Sequence, residues 1–342
     1  MRTSILAYLR CPACASSTLT VSASAEDALE ITEGTVRCED CGHVIEVAKG
    51  VLDAKHPRAA EIALREADGN ARFIEATSSE YLHDDDWLLR LPYSLYHVPP
   101  QKGGDMVANF DSLVRELGWG PGSRVVELGA GNCWCAWRIA AAGAEMVATD
   151  ISRVKYHGLE SGRTMIEGHG PYFERVVSEM ERLPFADQSF DGLLIYAALH
   201  HSNDMPATLR EAHRVLRPGG AALVIHEGVS GILRNNRFIG LRSVHEIDWQ
   251  QFNWNEQTFW LHQYAGSARR AGLRTQLLIA PFIENRLERG DFGGLLFGRI
   301  GRLAARLWRL PGGHRLLRSQ ASIWAASYLV GMPLTAIFRR PR

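Results

Sequence analysis

Cysteine is scarce: six residues in 342 exclude a disulfide framework for a chain of this length. A signal peptide is not expected, because Met1–Arg10 lacks a long apolar core and a cleavage site. No internal repeat or low-complexity tract appears. Lysine is nearly missing, at positions 49, 55, 102 and 155 only, so arginine dominates the positive charge. Net charge is absent as well, at +0, and the composition is 46% hydrophobic and 22% charged. That leaves an ordinary soluble chain, long enough for one large or two modest domains, with a reducing, cytoplasmic setting expected. The zero hides an asymmetry. Residues 286–342 hold eleven arginines against Glu288 and Asp291, a balance of +9, so the other 285 residues carry −9.

What cysteine there is falls in a pattern. Cys11 and Cys14, then Cys38 and Cys41, form two Cys-x2-Cys knuckles with metal-ligand spacing. Between them an alternating stretch (Leu19, Val21, later Leu29 and Ile31) predicts a β-hairpin. Four thiolates around a structural zinc close such a small fold, whose core alone would not hold it. The unit, residues 1–55, resembles the zinc-ribbon family that includes the small activator partner of tRNA methyltransferases. Leu9-Arg-Cys-Pro-x-Cys14 and Gly50-Val-Leu52 carry that resemblance. With all four ligands supplied by protein, the expected role is structural or partner-binding, and His43 is expected at the surface.

From Trp119 onward short apolar runs alternate with helical periods, the pattern of a mostly parallel, doubly wound α/β sheet. Strands are expected at 124–128, 145–149, 175–177, 191–196 and 221–226. A helix from about Met205 to Leu216 is expected to stop at the Arg217-Pro-Gly-Gly220 turn. The first strand ends in Glu127 and runs into Gly129-Ala-Gly131, ahead of a helix at 134–142. Glycines there permit backbone angles other residues avoid and let a ligand approach closely. Trp134 stands where a dinucleotide fingerprint needs its third glycine, which argues against NAD. Asp150, 19 residues past Gly131, ends the second strand where an acid can accept both ribose hydroxyls of a nucleoside. Further on come Ser178-Glu-Met-Glu-Arg-Leu-Pro-Phe185 and Leu194-Ile-Tyr-Ala-Ala-Leu-His-His201.

These pieces, in this order, resemble the class I S-adenosylmethionine-dependent methyltransferases of the type 11 kind, over about residues 119–280. The resemblance implies a Rossmann-like fold with S-adenosylmethionine held by Glu127, Gly129, Ala130, Gly131, Asp150 and Tyr196. It also implies that Glu179 accepts from the adenine amino group, with Met180 offering its backbone N–H and an apolar face. The chain departs from many members at Cys133, where they carry glycine. The cofactor brings the reactive methyl, so the protein must align an acceptor and, for a hydroxyl or protonated amine, supply a base. His200 and His201, after the fourth strand, are the candidates, with His226 and Glu227 behind them; the rival reading is that the two histidines only shape the pocket.

Residues 56–118 read as a helical linker or a lid over the cofactor, with Tyr81, Tyr93 and Tyr96 as candidate contacts. In 294–310, Leu296, Ile300, Leu303, Leu307 and Leu310 form one stripe and Arg299, Arg302, Arg306 and Arg309 another, which predicts an amphipathic helix. Ala321–Phe338 carries no charge. Its length admits a membrane span, but Pro333 and its small residues favour a core element or an in-plane helix. The expected arrangement is an amphipathic insertion, 281–332, between the last two strands (Arg274–Ala280 and Pro333–Phe338) of a 119–342 domain, touching anionic lipid as a peripheral membrane protein. The expected acceptor is a small molecule or a lipid- or polyprenyl-linked glycan. An RNA acceptor is the alternative, disfavoured because Tyr196-Ala-Ala-Leu replaces an Asn-Pro-Pro-Tyr-type motif. A non-catalytic scaffold is the other.

Overall fold

The computed structural model describes residues 1–59, 61–77, 84–94, 100–232, 257–290 and 295–342. Its centre is the alternation seen in the sequence. Strands β5 (Arg124–Leu128), β6 (Glu145–Asp150), β7 (Glu174–Val177), β8 (Phe190–Tyr196) and β9 (Leu216–Glu227) lie parallel in the order β7-β6-β5-β8-β9. Their side chains fill two separate cores. Val126, Leu128, Leu193, Ile195 and Val224 pack on one face, and Val125, Leu194, Leu223 and Ile225 on the other. Period-2 alternation in strands buried on both sides requires this. Helices α4 (Trp134–Ala141), α5 (Ser161–His169) and α6 (Met205–Val215) connect the strands. In α6, Asp204 caps the first turn by accepting from the Ala207 amide at 3.0 Å, and Met205, Leu209, Ala212 and Val215 face the core.

One boundary differs widely from expectation. The fifth strand begins at Leu216 instead of Ala221, because Leu216 is already extended (φ −70°, ψ 140°) and pairs with Phe190. The Pro-Gly-Gly turn is absorbed as an irregularity of that pairing. Asp191 clamps it, accepting from the Arg124 amide and from Arg217 at 2.8 and 2.7 Å.

The ribbon continues the same sheet. Strands β1 (Leu19–Glu26), β2 (Ile31–Cys38), β3 (Val44–Ala48) and β4 (Val51–Asp53) run antiparallel in sequence, and β4 then pairs in parallel with β7, Leu52 opposite Val176. A second seam joins the first knuckle to the segment after β7. Arg10 N–H donates to Pro184 O and Ala186 N–H to Tyr8 O, both at 2.8 Å. Beneath the seams Glu30, from the ribbon, pairs with Arg175 of β7, both fully buried, and the Met1 ammonium joins Glu30 at 3.0 Å. Burial alone would raise the Glu30 carboxyl; Arg175 and the ammonium more than offset it and hold it low. The far edge is a hairpin: β11 (Leu334–Arg339) pairs antiparallel with both β9 and β10 (Arg274–Leu278). Helix α7 (Leu261–Arg270) precedes β10, and between β10 and β11 stand α8 (Pro281–Arg289), α9 (Leu295–Trp308), α10 (Gly313–Leu317) and α11 (Gln320–Val330). The uncharged run is therefore a helix followed by a core strand. Among the described residues no helix is long and apolar enough to cross a membrane.

Residues 56–118 supply α1 (Glu61–Thr77), α2 (Asp85–Leu89) and α3 (Pro100–Glu116). Asp84 caps α2, accepting from the Trp87 amide at 2.6 Å. Tyr81 and Tyr96 lie outside the described residues.

Candidate active site

Strand order reverses between β5 and β8, and the crevice at that switch point is where doubly wound sheets hold ligands. There the chain leaves β5 through Gly129 (φ +70°) and Gly131 (φ +48°), both left-handed. The Ala130 amide donates to Thr149 O, and the Gly131 amide to Asp150 Oδ2 at 2.8 Å. Asp150 Oδ1 accepts from the Ser152 amide at 2.7 Å, so its carboxylate is fixed between two loops. A Cβ on Gly129 would stand 2.5 Å from the Ala198 Cβ, whereas beside Gly131 the space is open.

This turn borders a cavity of about 300 Å3, within the range of small-molecule sites. Glu127, Gly129, Ala130, Gly131, Asp150, Glu179, Met180 and Tyr196 all line it. Burial pushes the Glu127 carboxyl well above its ordinary value, and the Asp150 charge adds to this; the Cys135 thiol and the Ala136 amide donate to it and oppose the rise. Its Oε2 is buried without a hydrogen-bond partner among the described residues. Burial also raises Asp150, to about 6, against the pull of its two amides. Glu127, with its unpartnered oxygen, and Asp150 together fit a ligand with hydroxyl donors and a positive charge. An adenosyl group bearing a sulfonium and an α-ammonium has both. Cys133 takes the left-handed conformation (φ +65°) that glycine takes more easily, and its thiol is buried. Burial drives both Cys133 and Cys135 far above the thiol range, so neither is an activated nucleophile.

The two histidines part company. His201 lines the cavity, its Nδ1 2.6 Å from Glu66 Oε1 of α1. His200 is not on the cavity wall. Its Nδ1 lies 2.7 Å from Glu227 Oε2, and Glu227 also accepts from the amides of Ala198, Leu199 and His200. Burial would raise Glu227, but His200 and these amides outweigh it and keep the carboxylate low. His226, left-handed at φ +63°, sits under Tyr196 with ring centroids 5.2 Å apart. Burial lowers it to about 4, so it is neutral at physiological pH.

Sequence reasoning missed Glu66 and Asn70, which reach the cavity from α1, and His157 and Asn203, which also line it. Glu66 and Asn70 are four apart and so share a helix face; that spacing was the only signal. Phe73, one turn on, packs edge-on against His157 at 4.9 Å. Tyr93 is exposed and does not line the cavity.

The four ribbon sulfurs of Cys11, Cys14, Cys38 and Cys41 all lie within 4.8 Å of one another, with Cys11–Cys41 and Cys14–Cys38 at 3.6 Å. A tetrahedral Zn–S4 site with bonds of about 2.3 Å places sulfurs about 3.8 Å apart, so the cluster fits. His43 stands outside it, half-buried.

Residues 126–224 match the family described as a methyltransferase domain. A demethylmenaquinone methyltransferase from a Mycobacterium species is 41% identical over 108 residues, 32% of this chain and 43% of that protein. The ubiquinone/menaquinone biosynthesis C-methyltransferase of Bartonella bacilliformis is 32% identical over 106 residues, covering 30% and 41%. The chain thus spans less than half the length of these relatives. Among solved structures, phosphoethanolamine N-methyltransferase 2 of Haemonchus contortus is 15% identical, covering 81% of this chain and 61% of that one, with a TM-score of 0.49.

Proposed function

We propose that this chain, which carries a class I S-adenosylmethionine-dependent methyltransferase domain, transfers a methyl group from S-adenosylmethionine to a small, lipid-like acceptor. The observation that carries the reading is the convergence of Glu127, Gly129, Gly131, Asp150, Glu179 and Met180 on one cavity at the switch point. A quinone-type ring is the first acceptor class to consider, because the curated relatives are named for demethylmenaquinone; a polyprenyl-linked glycan is the second.

When bound, the cofactor supplies a methyl group already activated on a sulfonium. The chain's task is then binding, alignment and exclusion of water. Asp150 would hold the ribose hydroxyls, Glu179 and Met180 the adenine, and Glu127 the cationic amino-acid end. His201, past the end of β8, marks the acceptor side, and Tyr196 borders the cofactor. His201 is the proposed base: it lines the cavity, with Glu66 Oε1 2.6 Å from its Nδ1. His200, held by Glu227, shapes the loop after β8 instead. Helix α1 covers the cavity through Glu66 and Asn70, which supports the lid reading of this segment. Zinc in the four-cysteine cluster would have a structural role. Through Tyr8 and Arg10 the first knuckle holds Pro184 and Ala186, so the metal would also steady the loop carrying Glu179 and Met180.

A labelled-methyl transfer screen tests the reading, with quinone, lipid-linked glycan and RNA fractions offered in parallel. Label in the quinone or glycan fraction, lost in His201→Ala, is expected. Label confined to RNA would overturn the acceptor assignment.

A further inference from the structure

Helix α9 packs the opposite way from an ordinary amphipathic helix. Its inward face is Gly298, Gly301, Ala305 and Trp308, while Ile300, Leu303 and Leu310 just beyond it are exposed, Leu303 at 68%. Leu316 of α10 is exposed too. Of nine large hydrophobic side chains exposed among the described residues, five fall in 300–329, so the apolar surface is concentrated in one insertion. At about 100° per residue, the outward half of α9 divides lengthwise. Ile300, Leu303, Leu307 and Leu310 form one strip, and Arg299, Arg302, Arg306 and Arg309 the other. Among the described residues no hydrogen bond or ion pair engages Arg299, Arg302 or Arg306, and residues 292–342 contain no Asp or Glu.

We propose that α9 and α10 dock in plane on an anionic lipid bilayer, leucines in the acyl boundary and arginines at the headgroups. Three considerations select this occupant. A nucleic acid would neutralise the arginines but leave the aliphatic strip in water. A second copy meeting it through the same face would set arginine against arginine. A bilayer bearing acidic headgroups satisfies both strips at once. Helix α9 has 14 residues, about 21 Å of length, which suits lying on a bilayer and not crossing it. The −9 balance of residues 1–285 turns the rest of the molecule away from an acidic surface. The inference deepens the proposed function, since a lipid-like acceptor is met at a bilayer. Vesicle binding is read without cofactor or acceptor, so either can fail alone.

The test is flotation of the full chain with phosphatidylcholine vesicles, with and without phosphatidylglycerol. The native chain is expected to float with the anionic vesicles and to remain below with the neutral ones. Arg302→Gln/Arg306→Gln should weaken partitioning about 25-fold, about fivefold per arginine. Leu303→Gln should weaken it about tenfold or more. Thermal unfolding of both variants should match the native chain, because the altered side chains are exposed. Failure to float with anionic vesicles, indifference to both substitutions, or binding to duplex DNA without binding to vesicles would each overturn the proposal.

Discussion

The two glycines of the turn after β5 should fail in different ways when each is replaced by alanine. Both are left-handed, which costs an L-residue about 1–2 kcal/mol. At Gly129 the new Cβ also meets the Ala198 Cβ at 2.5 Å, well inside the usual 3.5–4.0 Å carbon contact. Ala198 has little room to retreat, because its amide is bonded to the buried Glu227 carboxylate at 3.0 Å. Overpacking of this kind adds about 1–3 kcal/mol, so Gly129→Ala should lose about 2–5 kcal/mol. At Gly131 nothing lies within 4 Å, so Gly131→Ala should lose only the backbone penalty, about 1–2 kcal/mol. Its methyl group instead enters space beside the cavity, and S-adenosylmethionine affinity should fall tenfold or more. Denaturant unfolding without cofactor and calorimetric titration read the two effects separately. Equal stability losses, or native affinity in Gly131→Ala, would refute the assignment of the two positions.

Three further outcomes follow. Glu30→Ala leaves the fully buried Arg175 without its carboxylate and should destabilise the fold by about 3–5 kcal/mol, measured by denaturant unfolding; a loss below about 1 kcal/mol would show that the pair does not join ribbon to sheet. Asp150, raised to about 6, must be ionised to accept ribose hydroxyls, so cofactor affinity should fall as pH drops through about 6, with Glu127, also raised by burial, adding to the fall. The same shift means the folded chain keeps a proton that the unfolded chain releases, so its contribution to the stability of the ligand-free protein is lost as pH rises from about 4 to about 6. Asp150→Asn should flatten both slopes, and slopes as steep as the native ones in that variant would assign them to another group. Chelating the metal, or Cys38→Ser, should release zinc, lower the melting temperature and weaken cofactor binding through the Arg10–Pro184 and Tyr8–Ala186 contacts; metal analysis with calorimetry checks this, and unchanged affinity in the metal-free protein would break the link.

Much of the domain was legible because its signals are local. Val125-Val126-Glu127-Leu128 followed by Gly-x-Gly dictates a strand and a left-handed turn, and Asp150 follows from one further strand. The joining of ribbon to sheet was not legible. Strand β4 is only three residues long, and its partner Val176 is remote in sequence, so no periodicity reports the pairing. Neither histidine could be chosen in advance, because the choice depends on Glu227 capturing His200 and on Glu66 approaching from α1. In α9 the stripes were visible, but not that both of them face out. Gly298, Gly301 and Ala305 allow close approach of the helix while contributing little apolar weight to the pattern.

The most direct test of the central claim is a calorimetric titration of S-adenosylmethionine into the full chain and into Asp150→Ala. Saturable, one-to-one binding by the native chain, abolished or strongly weakened by the substitution, is predicted. No heat of binding in either protein, or equal affinity in both, would contradict the placement of a methyl donor in the cavity between Glu127 and Asp150.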